Sequence, residues 1–594
     1  MAYLPSRIHR HTLATVLSLA LGGLGPNASW ANPAAQKLHA LFDEAWEQGA
    51  RQAPEWATVR GDHRFNDRLS DRSPAAVAAQ DAYARELLKR AQAIDVAALD
   101  ERDRVSLQIF IDRQQGEIEF QAFEGYRTLS LGSLWGFQSG LANLMRATPT
   151  ASEGQVRQLL ARLAAYPLRV DQEIESLRRG MALGWVSPQP VLARALAQLD
   201  GQLSEDVTRS PLFEPFDKLG SGIAEAQRDA LRQQGRQALQ QQVYPAMQRL
   251  RRFIKEEYLP KAPAAGGLGR YPGGAQVYAA LVRRNTTLDL SPQQVHDIGL
   301  RQVERLRAEM EAVRREVGFA GDRQQFFKYL YSEPKFFHPN GEALLAAYRE
   351  ISKRIDPELP RLFAELPRAP YGVRAMPAHM GEGAAENYNG PSLDGSTPGW
   401  FNANVLAYKR RPIWALETLV AHETVPGHHL QNARQRELGE LPAFRRSSFY
   451  TAYGEGWALY AETLGKDLGL YRDPYSRFGH LQAQMFRAAR LVVDTGMHAL
   501  GWSRERALAY MLEETGQDPV FMNAEVDRYL AQPGQALAYM TGQLKILELR
   551  ELAQAQLGAR FDLRRFHMVL LDQGQLPLGL LEQRVRAWIA AQPG

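Results

Sequence analysis

Trp414-Ala-Leu-Glu-Thr-Leu-Val-Ala-His422-Glu423-Thr-Val-Pro426-Gly427-His428-His429-Leu-Gln431 is the stretch on which the reading of this chain turns. It starts as an amphipathic helix and then carries three of the chain's 13 histidines, with a glutamate, inside eight residues. His422-Glu423 opens the pattern His-Glu-x-x-His. In that pattern positions i and i+4 share one helix face, so two imidazoles can hold a zinc ion while the glutamate meets the water beside it. Here position i+4 is Pro426. On a straight helix His428, at i+6, points away, and His429, at i+7, lies about 10 Å along the axis. Neither could join His422 on a metal whose bonds are about 2 Å long. Pro426 removes a backbone hydrogen bond and Gly427 loosens the chain, so a kink or bulge is expected there. With two residues looped out, His428 takes the place of the i+4 ligand; His429 is the alternative.

A third ligand is expected from a carboxylate on a following helix. Tyr453-Gly-Glu455-Gly-Trp-Ala-Leu-Tyr-Ala-Glu462 supplies Glu455 between two glycines, whose missing side chains let another backbone or a ligand come close. Glu462, two turns on, is placed to accept an N–H from a ligating imidazole. Further along, Phe486–Leu500 is apolar nearly all round and reads as a buried helix, yet Arg487, Arg490, Asp494 and His498 share one of its faces. Buried charges must be paired or must line a wet cavity. Arg490 and Asp494 are spaced to pair on the helix itself.

The bulk properties narrow the classes. The 594 residues allow two to four domains, or one large helical enclosure with an added N-terminal region. Hydrophobic residues make up 45% and charged residues 23%, as in an ordinary globular protein. The net charge of +5 is a small excess of 71 basic over 66 acidic side chains and comes without a basic stripe, so nucleic acid is not an expected partner. Cysteine is absent. That excludes disulfides, thiolate metal sites, thiol nucleophiles and a lipid-bearing cysteine within this sequence, and leaves histidine and carboxylate as metal ligands.

Residues 1–31 read as a secretory signal: Arg7, His9 and Arg10, then the apolar run Leu13 to Gly25, then the small-residue site Ser29-Trp30-Ala31. A membrane anchor is the alternative, although the run is short for spanning a bilayer. Cleavage would leave an exported protein without a membrane span, periplasmic in a Gram-negative cell or else secreted. Residues 32–290 form an N-terminal helical part, in which Leu41, Phe42, Trp46 and Val156, Leu159, Leu160, Leu163 recur at helical spacing. The breaks fall at Ser187-Pro188-Gln189-Pro190 and at Ser210-Pro211 to Pro215. Residues 291–594 form the helical metal-binding part, beginning at Ser291-Pro292 as N-cap and first helical residue. Between 366 and 405 prolines, glycines and aromatics crowd together, which predicts loops around one or two strands such as Gly399 to Leu406. The stretch from Asn387 to Asn404 is either an extended edge able to pair with a peptide backbone or a structural loop.

His422-Glu-Thr-Val-Pro-Gly-His-His-Leu-Gln431 followed by Glu455-Gly-Trp-Ala-Leu-Tyr-Ala-Glu462 resembles the DUF885 family, a bacterial family grouped with the zincin-type metallopeptidases. The resemblance runs from the mature N-terminus to the C-terminus. It implies one continuous, mostly α fold: a large helical enclosure with a deep cleft, akin to the gluzincin oligopeptidases and dicarboxypeptidases, with a short strand element beside the metal site. Such sites need a donor for the tetrahedral oxyanion. Tyr539, one turn after Gln535, is the first candidate, with Tyr529 and Arg528 as others. The expectation is therefore a Zn2+ hydrolase of short peptides, with metal ligands His422, His428 and Glu455 and catalytic groups Glu423 and Tyr539. The alternatives are a hydrolase of another amide, such as a cell-wall fragment, and a catalytically silent periplasmic binding or scaffold protein.

Overall fold

The computed structural model describes residues 32–592 apart from 133–135, 265, 378–381, 383, 393–394, 396 and 440; the expected signal segment, 1–31, lies outside them. The chain is mostly helical, and several of its helices begin where a side chain satisfies free backbone N–H groups. Ser152 and Gln155 form a reciprocal capping box ahead of the helix Glu153–Ala182, which buries Val156, Leu159, Leu163 and Val170 on one stripe. Ser291 and Gln294 do the same for Pro292–Glu316, as the Ser-Pro signal predicted.

Three large cores result. One draws its buried residues from 131–262, with Leu69 packed against it. A second joins the first helices of the chain to its last: Phe42 and Phe110 pack on Phe444, at ring separations of 4.7 and 5.6 Å, in the same cluster as Trp457 and Leu549. The third is built on helices from the central and later parts of the chain. The elements that carry the candidate site lie in the second and third cores. They are α1 (Gly274–Thr286), α2 (Pro292–Glu316), α3 (Gly341–Ile355), α4 (Leu416–Glu423), α5 (His428–Glu437), α6 (Thr451–Thr463), α7 (Pro474–His498), α8 (Pro519–Ala531) and α9 (Ala538–Leu557).

Three short strands complete this part: β1 (Tyr371–Ala375), β2 (Asn387–Asn389) and β3 (Gly399–Ala403). Their order is β1-β3-β2, with β1 parallel and β2 antiparallel to β3, and Val373 and Tyr388 are both opposite Phe401. Phe401 is fully buried and meets the Tyr348 ring of α3 edge-on at 5.1 Å, which seats the sheet on that helix. The predicted strand Gly399 to Leu406 ends sooner, at Ala403, because Val405–Arg410 turns into a 3-10 segment.

Two helix crossings are closer than ordinary side chains allow. At Gly299 of α2 a Cβ would stand 2.7 Å from the Leu491 side chain of α7. At Gly456 of α6 it would stand 2.5 Å from the backbone of Gly542 on α9. Such contacts let whole helix backbones touch.

The charged face of α7 is paired differently from the sequence expectation. Arg490 and Asp494 do not bond each other. Arg490 turns to Glu525 and Tyr529 on α8, while Asp494 accepts from the Tyr278 hydroxyl of α1 at 2.6 Å and from Gly534 N at 3.0 Å. His498, 1% exposed, joins the last turn of α7 to two other segments. Its Nδ1 accepts from Leu268 N and its Nε2–H donates to the Tyr529 carbonyl, each at 3.0 Å.

A proton on Nδ1 would face a backbone N–H that cannot turn round. Burial accordingly depresses His498 to about 4, against the pull of the Tyr529 carbonyl. The folded value lies below the unfolded one, so the stabilisation is complete above pH 6.5 and is lost as pH falls from there towards 4, by about 3 kcal/mol at most. Urea unfolding of metal-free protein across that range should show the loss. His498→Gln keeps both an acceptor and a donor but does not titrate, and should flatten the slope.

Candidate metal centre

The interruption at Pro426-Gly427 divides one helix into two. α4 ends at Glu423; Thr424 (φ −107°, ψ −116°) and Gly427 (φ −76°, ψ −126°) lie outside helical geometry, and α5 starts at His428. The loop is held at both ends. His429 N donates to Thr424 O at 2.9 Å, and the buried indole of Trp457 on α6 donates to Pro426 O at 2.9 Å. A Cβ on Gly427 would run into the carbonyl oxygens of His422 and Ala421. Glycine is required here by close approach of backbone, not by an unusual φ.

The loop delivers His428 to the far side of the same space that His422 faces. Their rings stand 4.8 Å apart at 83°. Glu455 of α6 completes the group: its Oε2 is 3.7 Å from His422 Nε2 and 3.4 Å from His428 Nε2, and the three ligand atoms all fall within 4.8 Å of one another. Around a tetrahedral zinc with bonds of about 2.0–2.1 Å, neighbouring ligand atoms stand roughly 3.3–3.5 Å apart. Glu455 Oε2 is buried and has no hydrogen-bond partner among the described residues. A sealed, unpartnered carboxylate oxygen between two imidazoles is costly unless a cation shares it. Burial works against the Glu455 carboxylate, yet His428 and His422 hold it well below the usual range. The donor set therefore fits zinc: two nitrogens and one carboxylate, with a fourth position left over.

The surroundings orient these groups. His422 Nδ1 sits 2.8 Å from Glu462 Oε1, which fixes the proton on Nδ1 and leaves Nε2 bare towards Glu455. Glu462 is wholly buried; Gln484 donates to its other oxygen at 3.1 Å, and Arg487 stands 3.4 Å from the first. His429 is turned away. Its Nε2–H donates to Ala369 O at 3.1 Å and its Nδ1 accepts from the Tyr388 hydroxyl at 2.9 Å. Both nitrogens are engaged, so of the two candidates only His428 joins the group. Tyr388 belongs to β2 and also stacks at 6.4 Å on the His428 ring, which places the small sheet beside the triad as expected. Gly399 makes room for this pair: a Cβ there would be 2.6 Å from both His429 Nδ1 and the Tyr388 oxygen.

Glu423, the last residue of α4, is buried next to the triad. Burial pushes its carboxyl up to about 8; His428 opposes this, while Glu455 and Glu386 add to it. A carboxyl poised near neutrality can take up and return a proton.

The three oxyanion candidates separate. The Tyr529 hydroxyl is spent, donating to Glu525 and accepting from Arg490, each at 2.9 Å. Arg528 is bound to Glu525 and Gln535. Tyr539 is half-buried, lies within electrostatic reach of Glu455, and has Gln535 Nε2 at 3.4 Å from its hydroxyl. Among the described residues the Tyr539 hydroxyl has no acceptor, so it is free to donate. Sequence reasoning missed the Trp457 anchor and the Tyr388–His429 pair. The one available signal was the second histidine at 429, which a single metal did not need.

The family model described as "Bacterial protein of unknown function (DUF885)" matches residues 54–585. The chain belongs to the DUF885 family. Two solved structures, each described as a "putative lipoprotein", share the architecture seen here. The one from Colwellia psychrerythraea is 30% identical with a TM-score of 0.89, over 94% of this chain and 100% of that one. The one from Shewanella oneidensis, described as of unknown function, is 18% identical with a TM-score of 0.71, over 93% and 99%, and shows the fold alone. No curated protein matches. Among the described residues no helix is long and apolar enough to cross a membrane.

Proposed function

We propose that this DUF885 protein is a zinc-dependent hydrolase that cleaves amide bonds of short peptides in the cell envelope. The observation that carries this reading is the buried Glu455 Oε2, without a hydrogen-bond partner among the described residues, set 3.7 and 3.4 Å from the Nε2 atoms of His422 and His428. His422, His428 and Glu455 would hold the ion. Zinc there supplies a Lewis acid that acidifies water and polarises an amide carbonyl at neutral pH.

The chain's own groups do the rest. Glu423 takes the proton of the attacking water and passes it to the departing amine. The Tyr539 hydroxyl donates to the former carbonyl oxygen as charge grows on it. Strand β2, at the edge of the sheet and tied to α5 through Tyr388, is where an extended peptide would pair. Export to the periplasm fits the N-terminal signal pattern and the lipoprotein descriptions of the two solved relatives.

Metal analysis and a peptide library test the reading together. The purified protein should carry about one zinc per chain. Glu423→Gln should retain the metal and lose about 10²–10⁴-fold in turnover. Absence of stoichiometric zinc, with a Glu423→Gln variant equal to wild type, would sink the proposal.

A further inference from the structure

Behind Tyr539 two guanidiniums share the bonds of one carboxylate among the described residues. Glu525 of α8 accepts at Oε2 from Arg490 Nη2 and Arg528 Nη2, each at 2.8 Å, and from the Tyr529 hydroxyl; its Oε1 takes Arg528 Nε at 3.1 Å. One carboxylate thus serves two guanidiniums. Asp494, one turn along α7, lies within electrostatic reach of both arginines but bonds to neither. Its oxygens are taken by Tyr278 and Gly534, and burial pushes its carboxyl up to about 7.

Arg490 is 5% exposed, and its Nη1 is buried without a hydrogen-bond partner among the described residues. Its guanidinium lies over the Tyr539 ring at 4.6 Å, and Tyr539 is itself within electrostatic reach of Glu455. Gln535 and Tyr539 form the half-exposed side of this group. The Gln535 amide oxygen accepts from Arg528 Nη1 at 2.7 Å. A neutral oxygen therefore occupies a place on Arg528 that a carboxylate would fill more strongly.

We propose that Arg490 and Arg528 take the free C-terminal carboxylate of the peptide, Gln535 swinging aside, so that the protein acts as a carboxypeptidase. Two guanidiniums holding one internal carboxylate can accept a second one, and a planar carboxylate matches the Arg fork. The catalytic consequence rests on the zinc-hydrolase reading; the carboxylate binding does not.

The test uses zinc-loaded Glu423→Gln protein and calorimetry with three N-acetylated tripeptides: a free acid, its C-terminal amide, and an amide carrying a glutamate side chain. The free acid should bind about 30-fold or more tightly than either amide, as expected for a lost charge-assisted pair. Adding Arg490→Met should erase most of that difference, and Arg490→Lys should leave part of it. The comparison among peptides stands whether or not the arginine variants fold. Equal binding of acid and plain amide, or tight binding of the glutamate amide, overturns the inference, as does binding of no peptide at all. Preferential binding of the acid, with no cleavage by the wild-type protein, would leave the carboxylate site standing and remove the hydrolase reading instead.

Discussion

Gly427→Ala is expected to fold and yet to lose zinc affinity by about 100-fold or more, since the change displaces a ligand itself and not merely a group that orients one. The added methyl has nowhere to go. Its carbon would collide with the carbonyl oxygens of His422 and Ala421 and come within 2.6 Å of the His422 carbonyl carbon. These atoms belong to the last turn of α4 and cannot rotate away as a side chain would. The loop must move instead. It is pinned by the Trp457 indole on one side and leads directly into His428 on the other. Movement therefore separates His428 from Glu455 while the buried faces of α4 and α5 stay packed. Zinc titration against a competing chelator measures the loss, and circular dichroism checks the fold. A Gly427→Ala protein that bound zinc like wild type would show that the loop is not what delivers His428.

The second large effect is expected at the crossing of α6 and α9. In Gly542→Ala the new carbon would collide with Ala452 O and stand 2.7 Å from the Gly456 Cα. Overpacking of this kind costs about 1–3 kcal/mol. It has a functional edge as well, because α6 carries Glu455 and α9 carries Tyr539 one turn before the crossing. Pushing the backbones apart should lower turnover more than zinc content. Gly579→Ala, in the first turn of the helix Leu578–Ala590, is the control: nothing lies within 4 Å of a Cβ there, and alanine is favoured over glycine by up to about 1 kcal/mol in a helix interior and by less in the first turn. Urea denaturation of the two variants should therefore move in opposite directions.

Particular residues show how far reading the chain could go. Pro426 at the i+4 position excluded a regular helix from the primary structure alone, since its ring and missing N–H are covalent facts. The helical stripes from Leu41 and from Val156, and the Ser291-Pro292 start, were equally local and are all present. Glu462 was reachable because it shares a helix face with Glu455. The pairing of α7 was not: Arg490 and Asp494 are one turn apart, yet each finds its partner elsewhere, the first on α8 and the second on α1 and Gly534. Helical spacing shows which groups can meet but is silent on better-placed partners that arrive from remote segments.

The motif from His422 to His429 makes the same division. Residue types and their order, with proline and glycine set between the histidines, determined that a bent chain could bring a nitrogen–carboxylate group together as a candidate metal site, and named its candidate members down to a choice of two. Tertiary structure alone decided between His428 and His429. It did so because Ala369 and the Tyr388 hydroxyl claim both nitrogens of His429, and because the contacts of Trp457 and Gly427 aim His428 at Glu455. Side-chain chemistry is written residue by residue, whereas the direction in which a side chain points is set by whatever packs against it.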